Sequence, residues 1–274
     1  MSESNINEYF SGSSLIGNNY SIDQITEWYN DEKEGYAGLV QIDLKDDHYP
    51  YQELNWVHGF KYLPANIKTQ KVLGIGSAFG QEFEPIVDNI SELTIIEPSD
   101  ELFTEKIGAV KPQYIKPTVA GKIDFPDNTF DLITSFGVLH HIPNVSFVLN
   151  EILRVLKPGG YFLLREPIVS MGDWREPRLG LTKRERGIPV HVFEDVFSKN
   201  KVEILNKNYL TCMTSFIQSK LGFIASKKLI SYRAYIVMDK FLASLLSWNI
   251  RYHHVKFHHK LAPQNVAYVI KKTS

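Results

Sequence analysis

Cysteine is nearly absent from this sequence, since Cys212 is the only one in 274 residues. No disulfide can form within the chain, which fits a reducing compartment. The first residues are polar and acidic and lack the basic start and apolar stretch of a secretory signal, so we expect a cytoplasmic protein. The most apolar helical stretch, 235–250, is interrupted by Asp239 and Lys240, so we expect no membrane span.

A large excess of charge of either sign is also missing. The 30 lysines and arginines nearly balance the 31 aspartates and glutamates, and the formal net charge is -1. General binding to nucleic acid depends on a basic surface that neutralises phosphates, so we expect no nucleic-acid partner. Hydrophobic residues make up 43% and charged residues 22% of the chain, which excludes disorder or a coiled coil as the dominant state.

The spacing of apolar residues divides the chain into four parts. Residues 1–69 contain an amphipathic helix that begins after the capping box of Ser21 and Gln24 and runs to Gly35. Residues 70–210 alternate short apolar strands with helices, the pattern of a parallel sheet wound by right-handed crossovers. Residues 211–260 form a helical cap that is inserted before the closing strand within 261–274.

Charge is distributed unevenly between the ends of the chain. The first fifty residues are acidic, whereas the cap has Asp239 as its single acidic residue. Its basic residues are Lys220, Lys227, Lys228, Arg233, Lys240, Arg251, Lys256 and Lys260. Either these charges lie on solvated or mutually packed faces, or the cap attracts an anionic substrate.

A glycine-rich turn follows the first predicted strand. Gly74, Gly76 and Gly80 belong to it, and such small residues let the backbone approach a ligand closely. The dinucleotide fingerprint needs glycine at position 79, where this chain has Phe79, which disfavours a nicotinamide-dependent oxidoreductase. The second strand ends at Glu97, where an acidic side chain can accept hydrogen bonds from ribose hydroxyls.

Three segments, taken together, resemble the class I S-adenosylmethionine-dependent methyltransferases. They are 72–80, 95–98, and a run with Phe125-Pro126-Asp127-Asn128-Thr129-Phe130-Asp131, His140-His141-Ile142-Pro143 and Lys157-Pro158-Gly159-Gly160. The resemblance covers roughly residues 70–167. It implies an α/β fold, a Rossmann-like, doubly wound seven-stranded sheet with the last strand antiparallel, and S-adenosylmethionine as the cofactor.

The resemblance also implies which residues hold the cofactor. The turn would hold the methionine portion, the end of the second strand the ribose, the loop near 120 the adenine edge, and the end of the fourth strand the amino group. These residues are Gly74, Gly76, Ser77, Ala78, Gly80, Glu97, Pro98, Ser99, Ala120, Gly121, Ser135 and Phe136. The chain departs from the family at Gly74 and Val119, where an acid is usual, and at Ala78, where glycine is usual. These changes keep the turn small, so we expect the cofactor to bind.

Two histidines follow the fourth predicted strand. A hydroxyl acceptor gains from a base that titrates near neutral pH. His140 and His141 lie at the edge of the sheet where ligands of such folds bind, and Glu166 follows the fifth strand at that edge. We predict that one of the histidines is a general base and that Glu166 orients an imidazole. The alternative is a structural role, in capping a helix or lining the cofactor site.

Two further groups of residues have weaker patterns. His254 and His258 have the spacing of two metal ligands on one helix face, in a cluster with His253 and His259, but no cysteine or carboxylate completes the set, so we expect no metal. Among the aromatic residues near the amino terminus, we predict that Tyr36 closes over the cofactor. The face of its ring would stabilise the positive charge of the sulfonium.

The predicted function is methyl transfer from S-adenosylmethionine to an oxygen, less readily a nitrogen, of a small molecule such as a sugar or an anionic metabolite. One alternative is a methyltransferase-like binding module without activity, which the departures at Gly74, Ala78 and Val119 would explain. The other is the oxidoreductase that Phe79 disfavours.

Overall fold

The structure, a computed structural model, describes residues 3–43, 49–65, 67, 69–178, 180–214, 217 and 228–274. Its strands are β1 Thr69–Ile75, β2 Ile90–Ile96, β3 Gln113–Ile115, β4 Phe130–Phe136, β5 Leu156–Pro167, β6 Val202–Leu210 and β7 Asn265–Lys272. They form one seven-stranded sheet in the order β3-β2-β1-β4-β5-β7-β6. β7 is antiparallel to β5 and β6, and the pairs among β1 to β5 are parallel.

Helices flank this sheet and precede it. The longer α-helices of the described residues are α1 Glu3–Ser11, α2 Ile22–Asp43, α3 Gln52–His58, α4 Val145–Val155, α5 Val190–Lys199 and α6 Arg233–Leu245. Short 3-10 helices lie at Phe60–Tyr62, Gln81–Asn89, Leu139–His141, Ser247–Asn249 and Phe257–Lys260. The predicted fold is confirmed, since the sheet has seven strands with the last one antiparallel. As predicted, helices α1 to α3 precede the sheet and α6 lies between β6 and β7.

Apolar side chains cover both faces of the sheet, as parallel strands between helices require. Successive residues of β5 point to opposite faces. Phe162 and Leu164 pack in the cluster that contains α4 and α5. Leu163 packs on the other face with Phe60 and Phe83. The sequence predicts a helix here from an apolar stripe, which is buried in α4 and at the start of β5 and consists of Val145, Val148, Leu149, Ile152, Leu153 and Leu156.

The carboxyl ends of β1, β2 and β4 meet at one edge of the sheet. Ile75 is paired with Ile96 in β2 and with Ser135 in β4. The glycine-rich turn that begins at Gly76 and the acidic side chain of Glu97 therefore start side by side. The fold brings together residues that lie far apart in the sequence.

The amino-terminal helix α2 begins as predicted but ends later. Ser21 N–H donates to Gln24 Oε1 over 3.0 Å, and Gln24 N–H donates to Ser21 Oγ over 3.4 Å, so the capping box forms. The predicted end at Gly35 is wrong, since the helix continues to Asp43. Gly35 serves close packing instead, because a Cβ atom there would lie 3.1 Å from Cγ2 of Thr182.

Other differences follow from short or irregular elements. The sequence predicts a short strand over 202–205, whereas β6 runs to Leu210, and it predicts neither the three-residue β3 nor α5. Within the cap, residues 215–216 and 218–227 lie outside the described residues, and the division into four parts stays a prediction. Where the structure describes the chain, none of its helices is both long and apolar enough to cross a bilayer.

Candidate functional site

A cleft lies at the carboxyl edge of the sheet, beneath helix α2. The empty space within it, including its open mouth, is about 980 Å³. The turn after β1 contributes Gly76, the loop after β4 contributes Val138 and His141, and α2 contributes Tyr29 and Glu32. The amino-terminal helix therefore forms one wall of the site.

The glycine-rich turn has the backbone of a close-approach loop. Gly76 and Gly80 have φ of +60° and +69°, in the left-handed region that favours glycine. A Cβ atom on Gly76 would lie 2.6 Å from Cγ1 of Val138, so a side chain there would collide with the cleft wall. Ala78 has φ of +46° although it is not glycine. The backbone thus stays left-handed at position 78, and the Cβ atom of Ala78 makes this conformation strained.

Replacing Ala78 by glycine is expected to stabilise the protein. The left-handed backbone costs a residue with a Cβ atom about 1–2 kcal/mol, while the added freedom of the unfolded chain costs about 0.4–1 kcal/mol. The net gain of roughly 0.5–1 kcal/mol would raise the melting temperature by about 2 °C. Ala109→Gly, at a position without positive φ, is the matched control and should lower it. A lower melting temperature for Ala78→Gly would contradict the strained turn.

Gly74 leaves room for the side chain of Ser77, which bonds to the buried acidic residue Glu82. A Cβ atom on Gly74 would lie 2.9 Å from Cβ of Ser77, so the hydroxyl side chain of Ser77 occupies that space. Ser77 Oγ and Thr134 Oγ1 both donate to Oε1 of Glu82, over 3.0 and 2.6 Å. Burial raises the pKa of Glu82 to about 7. Sequence reasoning missed Glu82, because only the fold brings it under β1.

Glu97 joins the end of β2 to the glycine-rich turn. Its side chain is buried, and its two oxygens accept the N–H of Ala78 over 3.2 Å and that of Ser99 over 3.0 Å. Burial raises the pKa of Glu97 to about 7. Burial, and then the negative charge of Glu97, raise the pKa of Tyr29, which lines the cleft. A carboxylate and a phenol thus lie near each other at one end of the site.

The other predicted cofactor residues lie around the same edge. Pro98 and Gly121 line the cleft, as does the exposed Val119. The carbonyl of Ala120 accepts a bond of 2.8 Å from Asn144. The roles of these residues stay predictions.

Two residues at the end of β4 and one in α2 have different surroundings. Ser135 is fully buried, and its Oγ has no hydrogen-bond partner among the described residues. Phe136 packs against Phe60, with ring centroids 5.8 Å apart, on the other face of the sheet. The side chain of Tyr36 lies outside what the structure describes, and Tyr29 is the aromatic residue of α2 that lines the cleft.

The turn that carries the two histidines is fixed through its backbone. Arg186, fully buried, donates to the carbonyls of His140 over 2.7 Å and of Ile142 over 2.8 Å. Trp28 of α2 donates through Nε1 to the carbonyl of His141 over 2.8 Å. These bonds hold the imidazoles in place against α2 and explain why Trp28 is buried.

His140 is held between two buried carboxylates. Its Nδ1 lies 2.7 Å from Oε2 of Glu166, and its Nε2 lies 3.4 Å from Oε1 of Glu185. Burial opposes the imidazolium charge, but hydrogen bonds to Glu166 and Glu185 outweigh it and raise the pKa of His140 to about 9. His140 is therefore protonated near neutral pH, when it cannot accept a further proton. Glu166 also accepts the N–H of Val138 and of Leu139, which favours a structural role.

Stability is expected to fall as the pH rises through about 9. The folded-state pKa of His140 is raised above its ordinary value of 6.5, so its contribution is complete below pH 6.5 and lost as the pH passes about 9. Unfolding by urea at pH 7 and at about pH 10 should differ by on the order of 2 kcal/mol. His140→Gln should remove most of this difference, and an unchanged pH dependence in that variant would contradict the buried imidazolium.

His141 has a different carboxylate partner and a different exposure. Its Nδ1 lies 2.7 Å from Oε2 of Glu32, which also accepts a bond of 2.6 Å from Thr182 Oγ1. Glu32 is buried, and both Glu32 and His141 line the cleft. Glu166 contacts His140, and its predicted role in orienting an imidazole stays a prediction, while Glu32 was missed. Its position four residues after Trp28, on the buried face of α2, is the signal that could have found it.

The histidines also bear on the question of a metal. His140, His141 and Glu185 each offer one ligand atom, and these three atoms lie within 4.8 Å of one another. The described residues contain no other group of three or more side chains that could hold a metal ion in this way. Their hydrogen bonds to carboxylates account for both imidazoles, and the absence of a metal stays a prediction. In the cap, His254 precedes the 3-10 helix Phe257–Lys260, so it does not share a helix face with His258.

Known proteins share this fold and part of this sequence. Residues 73–164 match the model of a family described as a methyltransferase domain. Sterol 24-C-methyltransferase ERG6B of Gibberella zeae is 27% identical over 202 residues, which are 60% of this chain and 50% of that protein. The ubiquinone/menaquinone biosynthesis C-methyltransferase UbiE of Psychromonas ingrahamii is 32% identical over 111 residues, 36% of this chain and 43% of that protein. The chain spans half or less of the length of these two relatives.

A solved structure agrees at the level of the fold. The S-adenosylmethionine dependent methyltransferase from Mesorhizobium loti superposes with a TM-score of 0.50 at 13% identity, over 79% of this chain and 96% of that one. The sheet order is that of an α/β domain, with the glycine-rich turn and Glu97 at its carboxyl edge. With the match of residues 73–164 to a methyltransferase domain, this fold supports a class I methyltransferase with S-adenosylmethionine as its cofactor.

Proposed function

We propose that this protein transfers a methyl group from S-adenosylmethionine to a small molecule that carries an ionisable hydroxyl group, with His141 as the general base. The observation that carries the proposal is the position of His141 in the cleft wall, with Nδ1 2.7 Å from Oε2 of the buried Glu32. A histidine held by a buried carboxylate beside a ligand cleft is the arrangement of an oriented base.

The residues of the site fit the cofactor. The left-handed turn from Gly76 to Gly80 places backbone without a side chain at the cleft wall, since a Cβ atom at Gly76 would collide with Val138. Glu97 provides a buried acceptor for ribose hydroxyls at the end of β2, and Ser135 provides a buried hydroxyl without a partner among the described residues. The bound cofactor supplies an electrophilic methyl group on its sulfonium. The protein has to position the acceptor and remove its proton.

His141 and Glu32 have different roles in proton removal. The hydroxyl proton of the acceptor moves to the imidazole, and the carboxylate of Glu32 fixes the ring orientation and stabilises the imidazolium that forms. His140 is already protonated near neutral pH and takes no part in this transfer. Its role is to hold the turn in which His141 lies.

The methylated atom has two candidates. Oxygen is the atom predicted from the sequence, since deprotonation makes it a nucleophile. Carbon is the second candidate, because both relatives are named C-methyltransferases and the charge of a phenolate or enolate reaches the adjacent carbon. The same base serves both. Ile75, Ile96 and Ile142 among the lining residues favour an acceptor with an apolar ring over an unsubstituted sugar.

The test begins with titration calorimetry of the full chain with S-adenosylmethionine, S-adenosylhomocysteine and NADH. Binding of the first two in the micromolar range, near -8 kcal/mol, is expected, and binding of NADH alone would contradict the cofactor. Methyl-labelled cofactor is then supplied with phenols, hydroquinones and sugars. Nuclear magnetic resonance of the product distinguishes an O-methyl from a C-methyl group. Tight cofactor binding without turnover on any acceptor would favour the inactive binding module.

A further inference from the structure

An apolar surface lies on the outer side of α6, where a surface helix is normally polar. We call it the cap patch, and its members are Tyr232, Val237, Met238, Phe241, Leu245 and Trp248, which expose between 48% and 78% of their surface. On α6 the spacing of Val237, Phe241 and Leu245 by four residues puts them on one face. A group of exposed apolar side chains on one helix face is typical of a site of contact with a partner.

The opposite side of α6 already has its own packing. Ile236 and Ala243 are buried, and Ile236 packs with Leu54 of α3 and Leu210 of β6. Asp239 is buried as well, where it accepts the backbone N–H groups of residues 211–213. The helix is therefore apolar on two sides, and only the inner side is covered by the described residues.

The charges around the cap patch are basic. Arg233 begins α6, and Arg251, Lys256 and Lys260 follow it, all of them exposed. Among the described residues no carboxylate lies within 4 Å of these four side chains, and the one acidic residue of the segment, Asp239, faces inward. An apolar face with Phe, Leu and Trp that is bordered by Lys and Arg is the surface of a helix lying in a membrane interface.

We propose that the cap patch docks the protein on the surface of a membrane that contains anionic lipids. The apolar side chains enter the interface, with Trp248 at the level of the headgroups, and the basic side chains contact the lipid phosphates. β6 is parallel to β5, since both are antiparallel to β7, so Leu210 and α6 lie at the same edge of the sheet as the cleft. A docked protein would hold its cleft close to the bilayer.

The test measures sedimentation of the full chain with vesicles of phosphatidylcholine, with and without about 30% phosphatidylglycerol, in about 50 mM salt. We expect at least tenfold tighter binding to the anionic vesicles, and a loss of most of it in about 500 mM salt. Phe241→Glu should weaken binding at least tenfold. Phe147→Glu is the matched control, because Phe147 is also a half-exposed phenylalanine on a helix, and it should bind like the parent.

Trp248 provides a second measurement on the same samples. The side chain of Trp248 is 78% exposed, whereas that of Trp28 is 2% exposed. The fluorescence of Trp248 should therefore shift to the blue on anionic vesicles. Trp248→Phe should lose the shift. Equal binding of the parent and Phe241→Glu, or no binding to any vesicle, would overturn the proposal. If light scattering instead finds a dimer that Phe241→Glu dissociates, without vesicle binding, the partner is a second copy of this chain and the proposal is wrong.

Discussion

Replacing Glu97 by alanine is expected to weaken the binding of S-adenosylmethionine roughly a hundredfold, or by about 3 kcal/mol. Glu97 is 1% exposed and accepts the N–H of Ala78 and of Ser99, so its loss removes the acceptor for ribose hydroxyls and a support of the turn. Hydrogen bonds to a charged group are worth about 1.5–3 kcal/mol each, which sets the size of the effect. Calorimetric titration of both proteins measures it.

Two variants and the pH dependence sharpen this test. Glu97→Gln keeps one acceptor oxygen and should lose less affinity than the alanine variant. Glu92→Ala removes an exposed acidic residue of the same strand, which pairs with the exposed Lys71, and should leave the affinity unchanged. Because burial raises the pKa of Glu97 to about 7, affinity should also fall as the pH falls below 7. Equal affinity of Glu97→Ala and the parent would remove Glu97 from the cofactor site.

Replacing His141 by alanine is expected to lower kcat by roughly 10²- to 10⁴-fold, the contribution of a positioned general base. The dissociation constant of S-adenosylmethionine should stay within a few-fold of the parent, because His141 acts on the acceptor. Glu32→Gln keeps the shape of the carboxylate but cannot stabilise the imidazolium, so it should lower kcat by a smaller factor. Turnover is measured with methyl-labelled cofactor and the acceptor found in the screen.

The neighbouring histidine separates a chemical from a structural effect. His140→Gln should lower the melting temperature, since it breaks the contacts with Glu166 and Glu185. Where this variant still folds, it keeps His141 as the base and should keep its turnover. Turnover of His141→Ala within a few-fold of the parent would leave Glu32 and His141 with a structural role only.

Local sequence patterns were sufficient for the framework of the protein. The apolar stripe of α4 and the short strands β1, β2, β4 and β5 are set by side chains within a few residues of each other. The glycine-rich turn and Glu97 could be found for the same reason, because each directly follows a strand. β3 was missed since three residues are too few for a pattern. The family resemblance then implied the seven strands, the antiparallel last strand and the cofactor.

The surroundings of the side chains depended on contacts between distant parts of the chain. His140 and His141 are adjacent and look alike in the sequence, yet Glu166 and Glu185 hold one as an imidazolium, and Glu32, 109 residues from His141, orients the other. The apolar residues of α6 likewise predict a helix but not which side is buried. Periodicity reports the spacing along one element, whereas protonation and exposure depend on what packs against it, and only the tertiary structure decided both.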